Sequence, residues 1–186
     1  MYAGRVRVVS VVCLLPRAHL TPFASTYITS LRRPLIPGLR EIRIKQFYEH
    51  ELAILLLLCS TKLKIVELHT SKEDSDEGGH MMAAFLHSLR ACTSDETHGL
   101  EKLHLVPTVY RTHVDLITKF DMLQDVNLCF DYGTTGEQLL EGFSKLSALN
   151  RLSRLGIGWG FDSEHHSLVS LLLPPRSVDF RSLHSI

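Results

Sequence analysis

The side chains that could carry nucleophilic or metal chemistry in this chain are its histidines and cysteines. There are eleven histidines and four widely spaced cysteines: Cys13, Cys59, Cys92 and Cys129. No two cysteines have the Cys-x-x-Cys spacing of a zinc knuckle, so reduced thiols are favoured over disulfides. His165 and His166 are adjacent, and on a helix they would point about 100° apart, which hinders binding of one metal ion. We therefore predict no metal site and no cofactor.

Two further features resemble parts of catalytic or phosphate-binding motifs. Cys129 and His104 fall on neighbouring predicted strands and could form a nucleophile and base, but no third, orienting residue accompanies them. The segment GIGWGF, residues 156–161, lacks the Lys-Ser/Thr ending of a P-loop and the spacing of a dinucleotide turn. Its glycines fit a strand exit, and Trp159 either fills a loop core or anchors a partner. We predict that the chain is not an enzyme and has no catalytic residues.

The charge balance excludes an overall attraction to polyanions. Twenty Lys and Arg residues face twenty Asp and Glu residues, so neither nucleic acid nor an anionic membrane is favoured as a partner. The acidic segment SKEDSDEGG, residues 71–79, is either a solvated loop insertion or a docking strip for a basic partner.

The two apolar runs in the first third of the chain are short. The beginning, MYAGRVRVVSVVCLLPRA, resembles a signal peptide, but Arg17 follows the apolar run at once and no clear cleavage site is present. The run over residues 53–59 is far below the ~20 residues that span a bilayer. We interpret the first run as a strand and expect a cytoplasmic or nuclear protein.

Five segments carry aliphatic residues at their first, fourth and sixth positions. They are LREIRI from Leu39, LKIVEL from Leu63, LEKLHL from Leu100, LQDVNL from Leu123 and LSRLGI from Leu152. The starts at 39, 63, 100, 123 and 152 are separated by 24, 37, 23 and 29 residues. A strand repeated at intervals of 20 to 29 residues is typical of leucine-rich repeats.

Each predicted strand is followed by a predicted helix. Apolar residues at steps of three and four define the faces of three of these helices: Met81, Phe85, Leu86 and Leu89; Val114, Ile117 and Phe120; and Leu139, Leu140, Phe143, Leu146 and Leu149. The segment FYEHELAILLLLC predicts another helix after the strand that begins at Leu39. A last helix is predicted from Glu164.

These five segments resemble the strands of leucine-rich-repeat proteins, in particular the irregular F-box type found in fungi, although no F-box segment is visible. The resemblance implies an α/β solenoid whose parallel sheet curves, with the helices on the convex side. We divide the chain into an irregular segment, 1–38, with a first strand at 6–11, and a repeat arc, 39–186. The segment FRSLHSI, from Phe180, resembles an interrupted repeat, so the arc is expected to be truncated there.

Strand alternation predicts which residues face away from the helices. The predicted outward residues include Cys129, Gly156 and Gly158 near the end of the series. The residues predicted to bind a partner are polar: Glu41, Arg43, Glu67, His69, Lys102, His104, Asp125, Asn127 and Arg154. Mixed charge on this concave face suits a protein surface better than phosphate.

The predicted function is therefore a non-catalytic protein-protein interaction module. Membership of the F-box type would imply substrate recognition in ubiquitin ligation, with an F-box supplied elsewhere. Two alternatives remain open at this point: an enzyme on a doubly wound α/β fold, whose strand order reverses, and a non-functional fragment of a longer repeat protein. Strand order distinguishes the first alternative, because a solenoid pairs each strand with its sequence neighbours.

Overall fold

The computed structural model describes residues 5–11, 34–47, 52–70, 78–93, 99–130, 134–159 and 169–172. Within these residues the chain forms strands and helices in this order: β1 (Val8–Val11), β2 (Glu41–Phe47), α1 (Leu52–Leu56), β3 (Ile65–Thr70), α2 (Gly78–Thr93), β4 (Lys102–Thr108), α3 (Arg111–Ile117), β5 (Asp125–Phe130), α4 (Gly136–Ser147), β6 (Arg154–Trp159) and β7 (Val169–Leu172). All seven strands belong to one sheet. The fold is thus mixed α/β.

The strands lie in the sheet in the order in which they occur in the chain, β1 to β7. The first six are parallel, and β7 is antiparallel to β6. Parallel neighbours require crossover connections, and α1 to α4 lie in the four connections between β2 and β6. The order never reverses among the described strands, so the doubly wound alternative is wrong for this part of the chain.

One face of the sheet is apolar and buried beneath the helices. Two rows of aligned residues build it: Ile42, Val66, Leu103, Val126 and Leu155, then Ile44, Leu68, Leu105, Leu128 and Ile157. Each is at most 8% exposed. They form one core with side chains of all four helices, including Leu55, Phe85, Val114 and Leu146. The predicted alternation of inward and outward residues is therefore confirmed for β2 to β5 up to Leu128.

The same pair of hydrogen bonds is found at the junction before each of the five strands β2 to β6. The carbonyl oxygens of Arg7, Arg40, Lys64, Glu101 and Gln124 each accept two N–H groups from the start of the next strand, at 2.7 to 3.1 Å. The leucine that begins each predicted segment is buried at this corner: Leu39, Leu63, Leu100, Leu123 and Leu152. Each leucine is at most 7% exposed. Its burial fixes where one strand starts beside the next.

The predicted helix faces are largely confirmed, with one error. Phe85, Leu86 and Leu89 of α2 are buried, and so are the predicted apolar residues of α3 and its C-terminal turn. In α4, Leu140 is 72% exposed although we predicted it on the buried face. Adjacent residues on a helix differ by about 100°, so Leu140 turns outward when Leu139 packs against the core.

The helix predicted from Glu164 is wrong where the structure describes it. Residues Val169–Leu172 form β7, with Val169 opposite Ile157 and Leu171 opposite Leu155. Alternate residues of VSLL fall in register with the buried row of β6, and that pairing outweighs the helical spacing. Residues 164–168 and the predicted strand from Phe180 lie outside the described residues.

The first strand, predicted at 6–11, is confirmed at Val8–Val11, whereas α1 is shorter than the predicted helix. The boundary between 38 and 39 stays a prediction, because residues 12–33 lie outside the described part of the chain. The acidic segment 71–77 and the paired histidines at 165 and 166 also lie outside it.

Candidate functional site: the polar face of the sheet

The face of the sheet opposite the helices carries rows of polar residues, and we call it the polar face. Its first row aligns Glu41, Ile65, Lys102, Asp125 and Arg154; its second aligns Arg43, Glu67, His104, Asn127 and Gly156. The second row has the composition and order that the strand spacing predicts. Eight of the nine predicted partner-binding residues lie in these two rows, and His69 is exposed further along β3.

Ion pairs on the polar face lie within β2 and between neighbouring strands. Arg43 Nη2 lies 2.9 Å from Glu41 Oε2, and Arg43 Nε lies 3.6 Å from Glu67 Oε2. Lys102 Nζ lies 2.7 Å from Glu67 Oε1 and 3.9 Å from Asp125 Oδ2. A side chain of β4 thus joins the carboxylates of both neighbouring strands, which lie about 4.8 Å away on either side.

Asp125 continues this network toward β6. His104 Nε2 lies 2.9 Å from Asp125 Oδ1, and Arg154 Nη1 lies 3.4 Å from Asp125 Oδ2. The carboxylate therefore bridges β4, β5 and β6 at the side-chain level. Its side chain is 17% exposed, whereas that of Arg154 is 57% exposed, so the network ends at a cation that a partner can reach.

The electrostatics of the network are clearest at Glu67. Burial raises the pKa of the Glu67 carboxyl, but the hydrogen bond and charge of Lys102, together with the charges of Arg43 and His104, outweigh burial and lower the pKa below its usual range. The carboxylate is therefore ionised at neutral pH, and its position is fixed by cations from two strands.

Asn127 is a polar side chain of this face that is not part of the network. It is half-buried in β5, between His104 and Gly156 in the second row. Its amide makes no hydrogen bond with another residue in the part of the chain that the structure describes. One donor group and one acceptor group remain available there for a partner.

Three residues predicted to face outward near the end of the sheet are buried, although the register keeps Gly156 in the second row of the polar face, opposite Asn127. Cys129 is 8% exposed, and Gly156 and Gly158 are buried. A β-carbon added to Gly158 would lie 3.9 Å from Cys129 Sγ, so the thiol packs beside a residue without a side chain. The register places Thr108 of β4 opposite Cys129 and Asn127 opposite His104. His104 approaches Asp125 instead of the thiol.

Sequence reasoning missed a cavity of about 230 Å³ beside α3 and α4. Tyr110, Phe130 and Gln138 line it, together with charged residues that pair with one another. Arg111 Nη2 lies 2.7 Å from Glu141 Oε1, and Lys145 Nζ lies 2.9 Å from the same oxygen. The hydrogen bond from Lys145 is the main cause that lowers the pKa of Glu141. The Arg111–Glu141 contact joins two successive helices, which single-helix patterns do not reveal, whereas Glu141 and Lys145 are four residues apart on α4.

Comparisons with protein-family models, with curated proteins and with solved structures found no match to this chain. No described helix is long and apolar enough to cross a lipid bilayer. Among the residues that the structure describes, no three His, Cys, Asp or Glu side chains come together as metal ligands. Function therefore has to be inferred from the geometry of the polar face.

Proposed function

We propose that this chain is a protein-protein interaction module that binds its partner with the polar face. The observation that carries the proposal is the alignment of Arg43, Glu67, His104 and Asn127 across four strands on the face away from the helices. A partner lying across the strands would contact several polar side chains at a regular spacing. The proposed contact residues are the nine predicted ones, from Glu41 to Arg154.

The proposed architecture is an irregular leucine-rich-repeat-like solenoid, curved so that the polar face is concave and the helices lie on the convex side. Two features support it: the strand order follows the sequence, and the junction hydrogen bonds repeat before five successive strands. In a solenoid, each unit buries its apolar face only against neighbouring units, so strands that follow the sequence order and junctions that repeat are expected.

The chemistry of the face indicates what partner it fits. Each of its carboxylates is paired with a cation, so a partner has to exchange some of these pairs for its own. A protein surface with alternating charges and amides can do this, whereas a phosphate backbone offers only negative charge. We therefore propose a protein partner in the cytoplasm or nucleus, and no cofactor.

The resemblance to F-box proteins extends the proposal by one step. In that case the partner would be a substrate for ubiquitin ligation, and the ligase scaffold would be reached through an F-box supplied elsewhere. This step can be tested separately. If the captured partner is a substrate for ubiquitin ligation, its level in cells should rise when the chain is depleted.

The test is affinity capture from cells with two variants matched in residue type. One variant carries Arg43→Ala, Glu67→Ala and His104→Ala on the polar face. The control carries Arg90→Ala, Glu137→Ala and His87→Ala, all exposed on α2 and α4. We expect the control to capture the same partner as the wild type and the polar-face variant to lose it.

Both variants should first show the circular dichroism and melting of the wild type within a few degrees. If the folded polar-face variant captures the partner as well as the control does, the polar face is not the binding site. If the control loses the partner while the polar-face variant keeps it and both remain folded, the partner contacts the helices and the proposed face is wrong.

A further inference from the structure

The cavity of about 230 Å³ beside α3 and α4 lies on the helix side of the sheet, and we call it the helix cavity. Its apolar lining comes from three successive elements: Val114 of α3, Phe130 of β5 and Gly142 of α4. The side chains of Val114 and Phe130 are 2% and 3% exposed and belong to the core of the protein. The helix cavity is therefore an opening toward the core and is separate from the polar face.

Gly142 is the residue that leaves this space open. It is buried within α4. A β-carbon added there would lie 3.8 Å from Val114 Cγ2 and 3.9 Å from Phe130 Cζ, which are ordinary contact distances. Glycine is less favourable than alanine inside a helix, and no close approach requires it at this position. What the glycine provides is room between the two apolar side chains.

Charged residues surround the opening and are joined by ion pairs. Arg111 Nη2 and Lys145 Nζ both contact Glu141 Oε1, at 2.7 and 2.9 Å. Lys145 also lies 2.6 Å from Asp115 Oδ1, but Asp115 does not line the helix cavity. Two cations and one carboxylate therefore face the cavity. Arg111 is 63% exposed and uses one of its three nitrogens for Glu141, so the guanidinium can donate to a second acceptor.

The first residues of the α3 segment are held in place without a ligand. The ring of Tyr110, which also lines the helix cavity, packs edge-on against the ring of His113 with centroids 5.5 Å apart. His113 is buried, and its Nδ1 accepts the backbone N–H of Tyr110 at 3.2 Å. The ion pair from Arg111 to Glu141 ties the same turn to α4. A ligand that enters the cavity therefore meets walls that are already ordered, which lowers the entropic cost of binding.

The size and lining of the helix cavity indicate the class of ligand. An apolar cavity of about 150 Å³ is enough to bind benzene, so this one holds an aromatic ring with a short chain. A ring can pack against Phe130 in the geometry that aromatic pairs prefer. A carboxylate on the chain would match the planar donors of Arg111 at the opening.

We propose that the helix cavity binds a small aromatic carboxylate, with its ring among Val114, Phe130 and Gly142 and its carboxylate on Arg111. Arg111 is then shared between the ligand and Glu141. The ligand lies on the helix side and does not touch the polar face, so the inference does not rest on the proposed function.

The test uses the full chain and the probe 3-phenylpropanoate, titrated while the backbone amide signals are followed by NMR. We expect saturable shifts centred on α3, α4 and the end of β5, with a Kd of about 1 mM or below. The neutral probe 3-phenylpropanamide has the same ring and chain. It should bind about fivefold more weakly, because it lacks the charge that pairs with Arg111.

Matched variants test the apolar lining. Gly142→Leu extends a side chain into the helix cavity and should weaken binding at least about tenfold, because it takes the position of the ring. Leucine favours a helix more than glycine does, so this variant is expected to fold. Gly136→Leu is the control, since it makes the same change on the same helix where a β-carbon meets nothing within 4 Å. It should bind both probes as the wild type does.

Arg111→Gln tests the charge. The side chain is largely exposed, so the variant should fold, lose the preference for the acid over the amide and keep the affinity for the amide. If the preference stays unchanged, Arg111 does not recognise the carboxylate and the proposal is wrong.

The wild-type protein alone can also overturn the proposal. The overturning results are no saturable shift up to about 10 mM probe, shifts centred away from the helix cavity, or equal affinity for acid and amide. Equal binding by folded Gly142→Leu and by the wild type would contradict it as well. The titration of the wild type thus decides the question even if Gly142→Leu does not fold.

Discussion

Neighbouring residues of β4 should differ sharply in their effect on stability. Leu103 is 0% exposed and lies in the buried row of the sheet, whereas the side chain of His104 is 18% exposed on the polar face. We compare Leu103→Ala with His104→Ala, and add Leu103→Asp as the severe case. The residues are adjacent, so any difference comes from the face on which each lies.

The expected magnitudes follow from these surroundings. Truncation of a fully buried leucine to alanine costs about 3 kcal/mol through lost burial and the cavity left behind. Aspartate at the same position also buries a carboxylate without a partner, which adds at least about 2 kcal/mol. The sum reaches the lower end of the total stability of a domain, about 5–15 kcal/mol. Leu103→Asp should therefore be unfolded.

His104→Ala removes one polar contact, the 2.9 Å approach to Asp125, and should cost about 1 kcal/mol or less. Urea unfolding followed by far-UV circular dichroism measures both alanine variants, and an unchanged slope with denaturant indicates the same unfolding reaction. If His104→Ala costs as much as Leu103→Ala, the assignment of faces in β4 is wrong.

Three further predictions concern separate contacts. The lowered pKa of Glu67 means that its stabilisation is present above about pH 4.3, the unfolded value, and is lost as the pH falls through the folded pKa. Glu67→Gln should therefore lower the unfolding free energy by less than about 1 kcal/mol at pH 7, and the difference from wild type should shrink in urea titrations as the pH falls below about 4.3. A β-carbon at Gly99 would overlap Cγ and Cβ of Met122, so Gly99→Ala should cost about 1–3 kcal/mol, and a double-mutant cycle with Met122→Ala should recover part of it. Thr135 Oγ1 accepts from the N–H three residues on at 3.3 Å, so thermal melts should show a loss of about 1 kcal/mol for Thr135→Ala and much less for Thr135→Ser.

The sheet and its register were predictable because one periodicity controls both. A leucine at each corner and alternating aliphatic residues in each strand have to be buried together, and a shift of one residue would expose them all. The row from Arg43 to Asn127 follows from that constraint alone. Its residues were placed by their apolar neighbours, not by any feature of their own.

The errors occur where contacts between distant segments decide the structure. VSLL, residues 169–172, has helical spacing in the sequence but pairs with β6. Cys129 is outward by alternation, yet it is enclosed beside Gly158.

The polar face also explains why its residue types alone did not identify a ligand. Its carboxylates at Glu41, Glu67 and Asp125 are paired across or along strands with three cations, so these six charges sum to zero. Each charge has a neighbour inside the protein that accounts for it, and a solvated sheet with no ligand would have the same composition. Asn127 differs, because its half-buried amide has no hydrogen-bond partner within the described part of the chain. The net charge of this face cannot discriminate between partners. A partner therefore has to be recognised by the spacing of the polar groups around Asn127.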